Sequence, residues 1–263
     1  NYGLEAGSKA ELIIAMSKTP TGAPITVNGF KDKEMISLCF IAAKMGHNIT
    51  VTIEGLEELE TNIQVNQEFN AEAQMPVAPK IGVRIRLHSS GIGIWAKSGG
   101  YSSKFGLTST ELLEAYGMLK KNNLLDHLWM IHFHIGSQMG DIAPLKKALR
   151  EAGNIYAELK MRGADSLGAI NIGGGLAVEY SQHPHNQERN YSLKEFANDV
   201  IYLVQEISKR KGVAEPDIFT ESGRYIAASH SVLIAPVLEL FSQEYHAKGL
   251  RLKEVNPPLI QEL

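Results

Sequence analysis

The chain of 263 residues has a single cysteine, Cys39, and only two tryptophans. One thiol cannot close an internal disulfide, so packing must hold the core, and a reducing, cytoplasmic compartment is expected. Cys39 stands in the apolar run LCFIAA, where a small buried side chain is a far better reading than a catalytic one. Positive charge is scarce too: 26 Lys and Arg against 29 Asp and Glu leave a net charge of -3. That balance offers no basic field to nucleic acid or an anionic membrane, so a small molecule is the favoured partner. No apolar stretch approaches the roughly 20 residues that span a bilayer. What is there, 44% hydrophobic and 21% charged content, is ordinary for a chain that buries a large core.

Strand-like runs recur, mostly closing on Gly, Ser or an acid: YGLEAG, PITVNG, ITVTIEG, IGVRIRL, WMIHFHIG, AINIGGG and DIFTESG. Among them lie segments of helical periodicity, ELIIAM, KEMISLCFIAAKMG, ELLEAYGMLKKNN, LKKALREAGNIYAELKMRG and EFANDVIYLVQEISKRKG. Capping boxes are predicted at Ser8 with Glu11, Thr108 with Glu111, and Ser192 with Glu195. This alternation implies a parallel sheet, open and doubly wound or closed as a barrel. A closed TIM (β/α)8 barrel needs eight strands, and seven are read here. Because Asn1-Tyr2-Gly3 already reads as strand and lacks an initiator Met, the chain is expected to be a piece of a longer one, supplying strands two to eight. The longest irregular stretch, His88 to Gly106, is expected to cover a site or bind something. After Arg224 the pattern changes, and ASHSVLIAPVLELF carries no clean helical stripe. Residues 1–230 are therefore expected to form the barrel, and 231–263 a transition towards another domain.

Three motifs carry chemistry. In HFHIGSQ, strand alternation puts His132 and His134 on one face and Phe133 on the other. At the mouth of a barrel strand, His134 would lie flat against a bound ring, while Ser137 and the turn amides would reach a phosphate. A core His with a satisfied hydrogen bond competes with that reading. So does metal, because an HxH pair also opens the site of amidohydrolase-type enzymes. The further His or Asp ligands a metal would need are missing from the ends of INIGGG and DIFTESG. Gly173, Gly174 and Gly175 let backbone N–H groups turn to an anion, although a plain turn explains a triple glycine about as well. Its place is informative, since barrels often hold phosphate after their seventh and eighth strands.

Glu221 and Arg224 in ESGR lie within about 10 Å of chain, enough to serve two ends of one cofactor. A carboxylate at a pyridine nitrogen keeps it protonated and makes the ring an electron sink, while Arg224 and the amide of Gly223 take a phosphate. For an arbitrary E-x-x-R a solvated ion pair would be the plainer reading. The preceding strand, the glycine within the motif and the two companion motifs reverse that preference and point to pyridoxal phosphate.

These motifs, in this order, resemble the fold-type III pyridoxal phosphate decarboxylases, with their alanine racemase-like barrel. The group holds ornithine, diaminopimelate and biosynthetic arginine decarboxylases. The likeness runs from about Tyr2 to Leu233 and is nearest to the biosynthetic arginine decarboxylases. It is carried by LEAGSKAEL at 4 to 12, VNGFKD at 27 to 32, HFHIGSQM at 132 to 139, GGGLAVEY at 173 to 180 and NYSLKEFANDVIY at 190 to 202. Ser222 points the same way, because the other two groups usually have Pro there. The resemblance implies that His134 stacks on the cofactor ring and Glu221 meets its nitrogen. It gives the phosphate to Ser137, Gly173 to Gly175, Gly223 and Arg224, and matches Glu5 and Arg84 to acidic and basic positions near the Schiff base.

The resemblance further implies loss of carbon dioxide from L-arginine, release of agmatine for polyamine synthesis, and a Mg2+ requirement. It implies a homodimer or higher homo-oligomer with shared active sites, completed by a C-terminal β-domain. The Schiff-base Lys of the family lies on the first barrel strand, and neither Lys9 nor Lys31 matches its motif. The family's C-terminal Cys, substrate-reading acids and phosphate-contacting Tyr are also unmatched, so this chain alone is expected to be inactive. Three alternatives stay open: a diaminopimelate or carboxynorspermidine decarboxylase, a catalytically dead binding protein, and, more distantly, a metal-dependent barrel hydrolase.

Overall fold

The computed structural model describes residues 2–88, 105–180 and 189–240. Seven strands, β1 (Leu4–Ala6), β2 (Pro24–Val27), β3 (Asn48–Ile53), β4 (Lys80–Arg84), β5 (Leu128–His132), β6 (Ala169–Asn171) and β7 (Asp217–Phe219), form one sheet in sequence order. Every neighbouring pair is parallel. Seven α-helices are described, α1 (Lys9–Lys18), α2 (Lys33–Lys44), α3 (Leu56–Asn70), α4 (Ser109–Lys121), α5 (Ala143–Met161), α6 (Leu193–Lys211) and the short α7 (Gly223–Ala227), with a 3-10 turn at Leu125–His127. β1 and β7 are the two edges of the sheet, so the barrel is open on one side. The sheet nevertheless curls far enough for Asn28, just after β2, to hydrogen-bond Glu221, just after β7, at 2.7 Å.

Alternation along the strands builds the two faces. Ile25, Val27, Ile49, Val51, Ile53, Ile81 and Val83 join helix residues such as Leu12, Met35 and Leu145 in one apolar core. On the other face stand Thr26, Thr50 and Thr52, buried and polar. Gly82 belongs to that inner face, where a β-carbon would come 3.1 Å from Met130 Cε and 3.3 Å from Thr52 Oγ1. The interior is thus narrow and partly polar, and register carries its polarity upward: Arg84 lies opposite His132, and His132 opposite Asn171.

Two of the three predicted capping boxes form, at Thr108 with Glu111 and at Ser192 with Glu195. The third is one-sided. The Glu11 N–H bonds Ser8 Oγ, but the Glu11 carboxylate accepts from the Ser8 hydroxyl and from Gly7 N–H, so the cap's own N–H is bypassed. Helix α3 was not among the periodic segments read from sequence, because its inner face includes Asn62 beside Leu59, Ile63 and Val65. The ends of the stretch from His88 to Gly106 are joined by a bridge between Ile85 and Leu107. Nearly all of that stretch lies outside the described residues.

Two compact units divide the chain, Asn1–Ala228 and Ser229–Leu263. In the second, the described residues to 240 form no helix or strand, and Val232, Leu233 and Ile234 are exposed. The expected start of a C-terminal β-domain falls mainly outside the described residues. Among the described residues no helix is long and apolar enough to cross a membrane.

Candidate active site

The C-terminal ends of the strands deliver a ring of polar side chains. Glu5 is on β1, Asn28 follows β2, Glu54 follows β3, Arg84, His132 and Asn171 close β4, β5 and β6, and Glu221 follows β7. Glu221 is held by amides. Its Oε1 accepts from Asn28 Nδ2 and from Asn171 Nδ2, each at 2.7 Å, and no hydrogen bond among the described residues engages Oε2. Asn28 Nδ2 also reaches Glu5 Oε1 at 3.2 Å. The Glu5 carboxyl is pushed up from the usual range, chiefly by desolvation and then by the charge of Glu221.

His132 is fully enclosed; its Nδ1 lies 3.9 Å from Glu221 Oε1 and has no hydrogen-bond partner among the described residues, while the Asn171 side chain hydrogen-bonds the imidazole. Desolvation first, then the charges of Arg84 and His134, lower its pKa to about 3. It is therefore a neutral imidazole under working conditions. His134 is likewise lowered, by desolvation and then by Arg84. The Gly174 N–H points at His134 Nδ1 at 3.3 Å, so that nitrogen is an acceptor and the ring proton sits on Nε2.

The glycine run is a close crossing of three strand ends. Gly173 has φ +70, and a β-carbon there would stand 2.7 Å from Phe133 O and 2.8 Å from His134 Nδ1. At Gly174 it would meet Glu221 O at 2.7 Å, and at Gly175 it would meet Gly136 O at 2.3 Å. The Glu221 N–H in turn donates to Gly173 O at 2.8 Å, and Asn171 Oδ1 accepts from Gly173 N–H at 2.9 Å. His134, Glu221 and the three glycines, picked from separate motifs, are thus one constellation. Ser137 lies half-buried in the turn after β5. Gly223 and Arg224 are exposed at the start of α7, and Arg224 forms no ion pair among the described residues. Glu221 spends its hydrogen bonds inward, which argues against a surface pair with Arg224.

Arg84 makes an ion pair with Glu54 at 3.1 Å, and its guanidinium lies 5.2 Å from the Phe105 ring centroid. Glu54 Oε1 also accepts from Gly29 N–H. Lys31 is buried and bound to Glu58 at 3.0 Å, and Lys9 pairs with Asp32 and Glu34 on the exposed side. Cys39 is buried in the core, where desolvation pushes its thiol up to about 12. Among the described residues no group of three or more His, Cys, Asp or Glu is placed to hold a metal.

Sequence reading passed over Asn28 and Asn171 and weighed His132 only as half of an HxH metal pair. Their common signal is position: each is a polar residue at or just beyond the last position of an apolar strand, as are Glu54 and Arg84. The donor set suits pyridoxal phosphate: a free carboxylate oxygen for a ring nitrogen, an imidazole beside it, and glycines whose backbone no β-carbon could screen.

A family model described as pyridoxal-dependent decarboxylase, pyridoxal binding domain, matches residues 2–228. The chain is 45% identical to a biosynthetic arginine decarboxylase of Citrifermentans bemidjiense over 90% of its own length and 37% of the relative's. A crystal structure of the biosynthetic arginine decarboxylase of Campylobacter jejuni superposes with TM-score 0.79 and 59% identity, over 99% of this chain and 42% of that one. A diaminopimelate decarboxylase from M. jannaschi gives TM-score 0.66 and 26% identity, over 85% of this chain and 48% of that one. The chain thus spans about two fifths of the arginine decarboxylases it matches. With strand order, strand-end residues and the family match in agreement, the chain belongs to the pyridoxal-dependent decarboxylases and carries their pyridoxal-binding barrel.

Proposed function

We propose that this chain is the cofactor-binding barrel of an enzyme that converts L-arginine to agmatine and carbon dioxide, at the start of a route to polyamines. The observation that carries the chemistry is Glu221, clamped through Oε1 with Oε2 left over. The 59% identity to an enzyme named for arginine supports the substrate.

When bound, pyridoxal phosphate supplies an electron sink for the pair left behind as the carboxylate departs. Glu221 Oε2 holds the proton on the ring nitrogen. His134 would hold the cofactor ring as a neutral imidazole, so it would add no charge that competes with Glu221. Ser137, the amides of Gly173, Gly174, Gly175 and Gly223, and the Arg224 guanidinium hold the phosphate. Glu5 and Arg84 would stand near the Schiff base, with Arg84 oriented by Glu54. In this proposal residues 1–230 are the barrel and 231–263 begin the C-terminal domain. The working enzyme is a cytoplasmic homo-oligomer with shared sites. Mg2+ keeps only the support of family resemblance.

The test uses the full-length protein with pyridoxal phosphate, offered arginine, ornithine, lysine and diaminopimelate separately, with the released amine identified. Agmatine from arginine alone is expected. Lysine from diaminopimelate would transfer the assignment to the relatives that share this fold at 26% identity. No amine from any of them, with no absorbance from bound cofactor, would point to a non-catalytic binding protein.

A further inference from the structure

One nitrogen atom ties together carboxylates from both edges of the open sheet. Asn28 Nδ2 lies 2.7 Å from Glu221 Oε1, after β7, and 3.2 Å from Glu5 Oε1, on β1. A carboxamide carries two N–H bonds on one atom and no charge, so it can satisfy two anions at once. Glu221 Oε1, which also accepts from Asn171, settles which way the Asn28 amide faces, because an oxygen that accepts from both amides has no hydrogen to give.

Asn171 adds a second amide to the same oxygen of Glu221 at 2.7 Å. Both donors are neutral. The imidazole of His132, 3.9 Å away, is buried and uncharged, and among the described residues no Lys or Arg contacts Glu221. A cation in contact would cancel much of the carboxylate's field, whereas neutral amides hold the carboxylate in place and leave its charge to act elsewhere. Asn28 is nine-tenths buried and Asn171 wholly so, which keeps water from replacing either.

We propose that Asn28 is a positioning residue which, with Asn171, fixes Glu221 through Oε1 and reserves Oε2 and the full negative charge for the cofactor's ring nitrogen. This rests on the cofactor reading above. Asn28 acts through Glu221 and touches no reacting atom.

The test compares cofactor affinity in full-length apoprotein, unaltered and Asn28→Ala, for pyridoxal phosphate and for the analogue with carbon in place of the ring nitrogen. Asn28→Ala should weaken pyridoxal phosphate about tenfold, the scale of one charge-assisted hydrogen bond, and leave the analogue unchanged. If Asn28→Ala does not fold, Asn28→Leu keeps about the same volume, removes both donors and adds no charge beside Glu5 and Glu221, and the same contrast is expected. Equal weakening towards both ligands, or towards neither, overturns the positioning role. Failure of the unaltered protein to bind pyridoxal phosphate at all overturns the cofactor reading, and this inference with it.

Discussion

Gly174 aims its N–H at Nδ1 of His134 at 3.3 Å, and this one contact decides which nitrogen of the imidazole carries the proton. The glycine comes from the end of β6 and the histidine from the end of β5, so the tautomer of the ring is set by how two strand ends cross. The neighbouring glycine enforces the same crossing sterically.

Replacing Gly173 should therefore disturb the site more than the fold. Gly173→Ala forces a β-carbon into left-handed backbone and against His134 Nδ1, at a cost of roughly 1–3 kcal/mol. Chemical denaturation should show that loss, and titration with pyridoxal phosphate should show affinity falling as the imidazole is displaced. Gly117→Ala, in α4 with nothing near its β-carbon, is the contrast and should stabilise by up to about 1 kcal/mol.

The buried neutral histidine makes stability depend on pH. Above the ordinary histidine pKa of about 6.5, His132 is neutral folded and unfolded, and contributes no slope. Below it the unfolded chain takes up a proton that the folded chain refuses until about pH 3, so stability falls as pH falls. By pH 5 the loss from this residue is about 2 kcal/mol. Denaturation of the full-length apoprotein at pH 7 and pH 5 should show a smaller drop for His132→Asn than for the unaltered protein. Equal drops would mean that His132 takes its proton in the folded state.

Lys31 and Glu58 form a buried pair in which desolvation outweighs attraction, leaving the Glu58 carboxyl raised. Lys31→Met strands that carboxyl and should cost about 3–5 kcal/mol. Adding Glu58→Leu should return part of the loss, because no charge is then left buried, although the Glu54 N–H and the Gly29 carbonyl still lose their side-chain partners. A double variant no more stable than Lys31→Met alone would show that the pair does more than neutralise itself.

Cys39 should be silent towards thiol reagents in the folded protein. Its thiol is buried and pushed up to about 12, so almost no thiolate is present at pH 8. Alkylation followed by peptide mapping should find Cys39 unmodified under native conditions and fully modified in denaturant.

Much of this architecture could be read along the chain. Parallel strands buried on both faces appear as runs such as ITVTI, and helices such as α6 announce themselves with an apolar stripe and a cap. The glycine run, His134 and Glu221 were legible because each sits at a strand end, where a barrel presents its chemistry. Helix α3 was not, since its stripe is diluted by polar residues. Nor was the half-formed cap at Ser8, where the Glu11 carboxylate chooses Gly7 over the expected N–H.

The sequence by itself determined the order of strands and helices and the polar strand ends, properties of neighbours a few residues apart, and its separate motifs carried the resemblance to the cofactor family. Only the tertiary structure decided that Asn28 and Glu221, 193 residues apart, share a hydrogen bond, and that Asn171 closes the same clamp. The physical reason is curvature. Twist and register accumulate across seven parallel strands until the ends of β2 and β7 meet, and no local periodicity encodes a sum taken over the whole sheet.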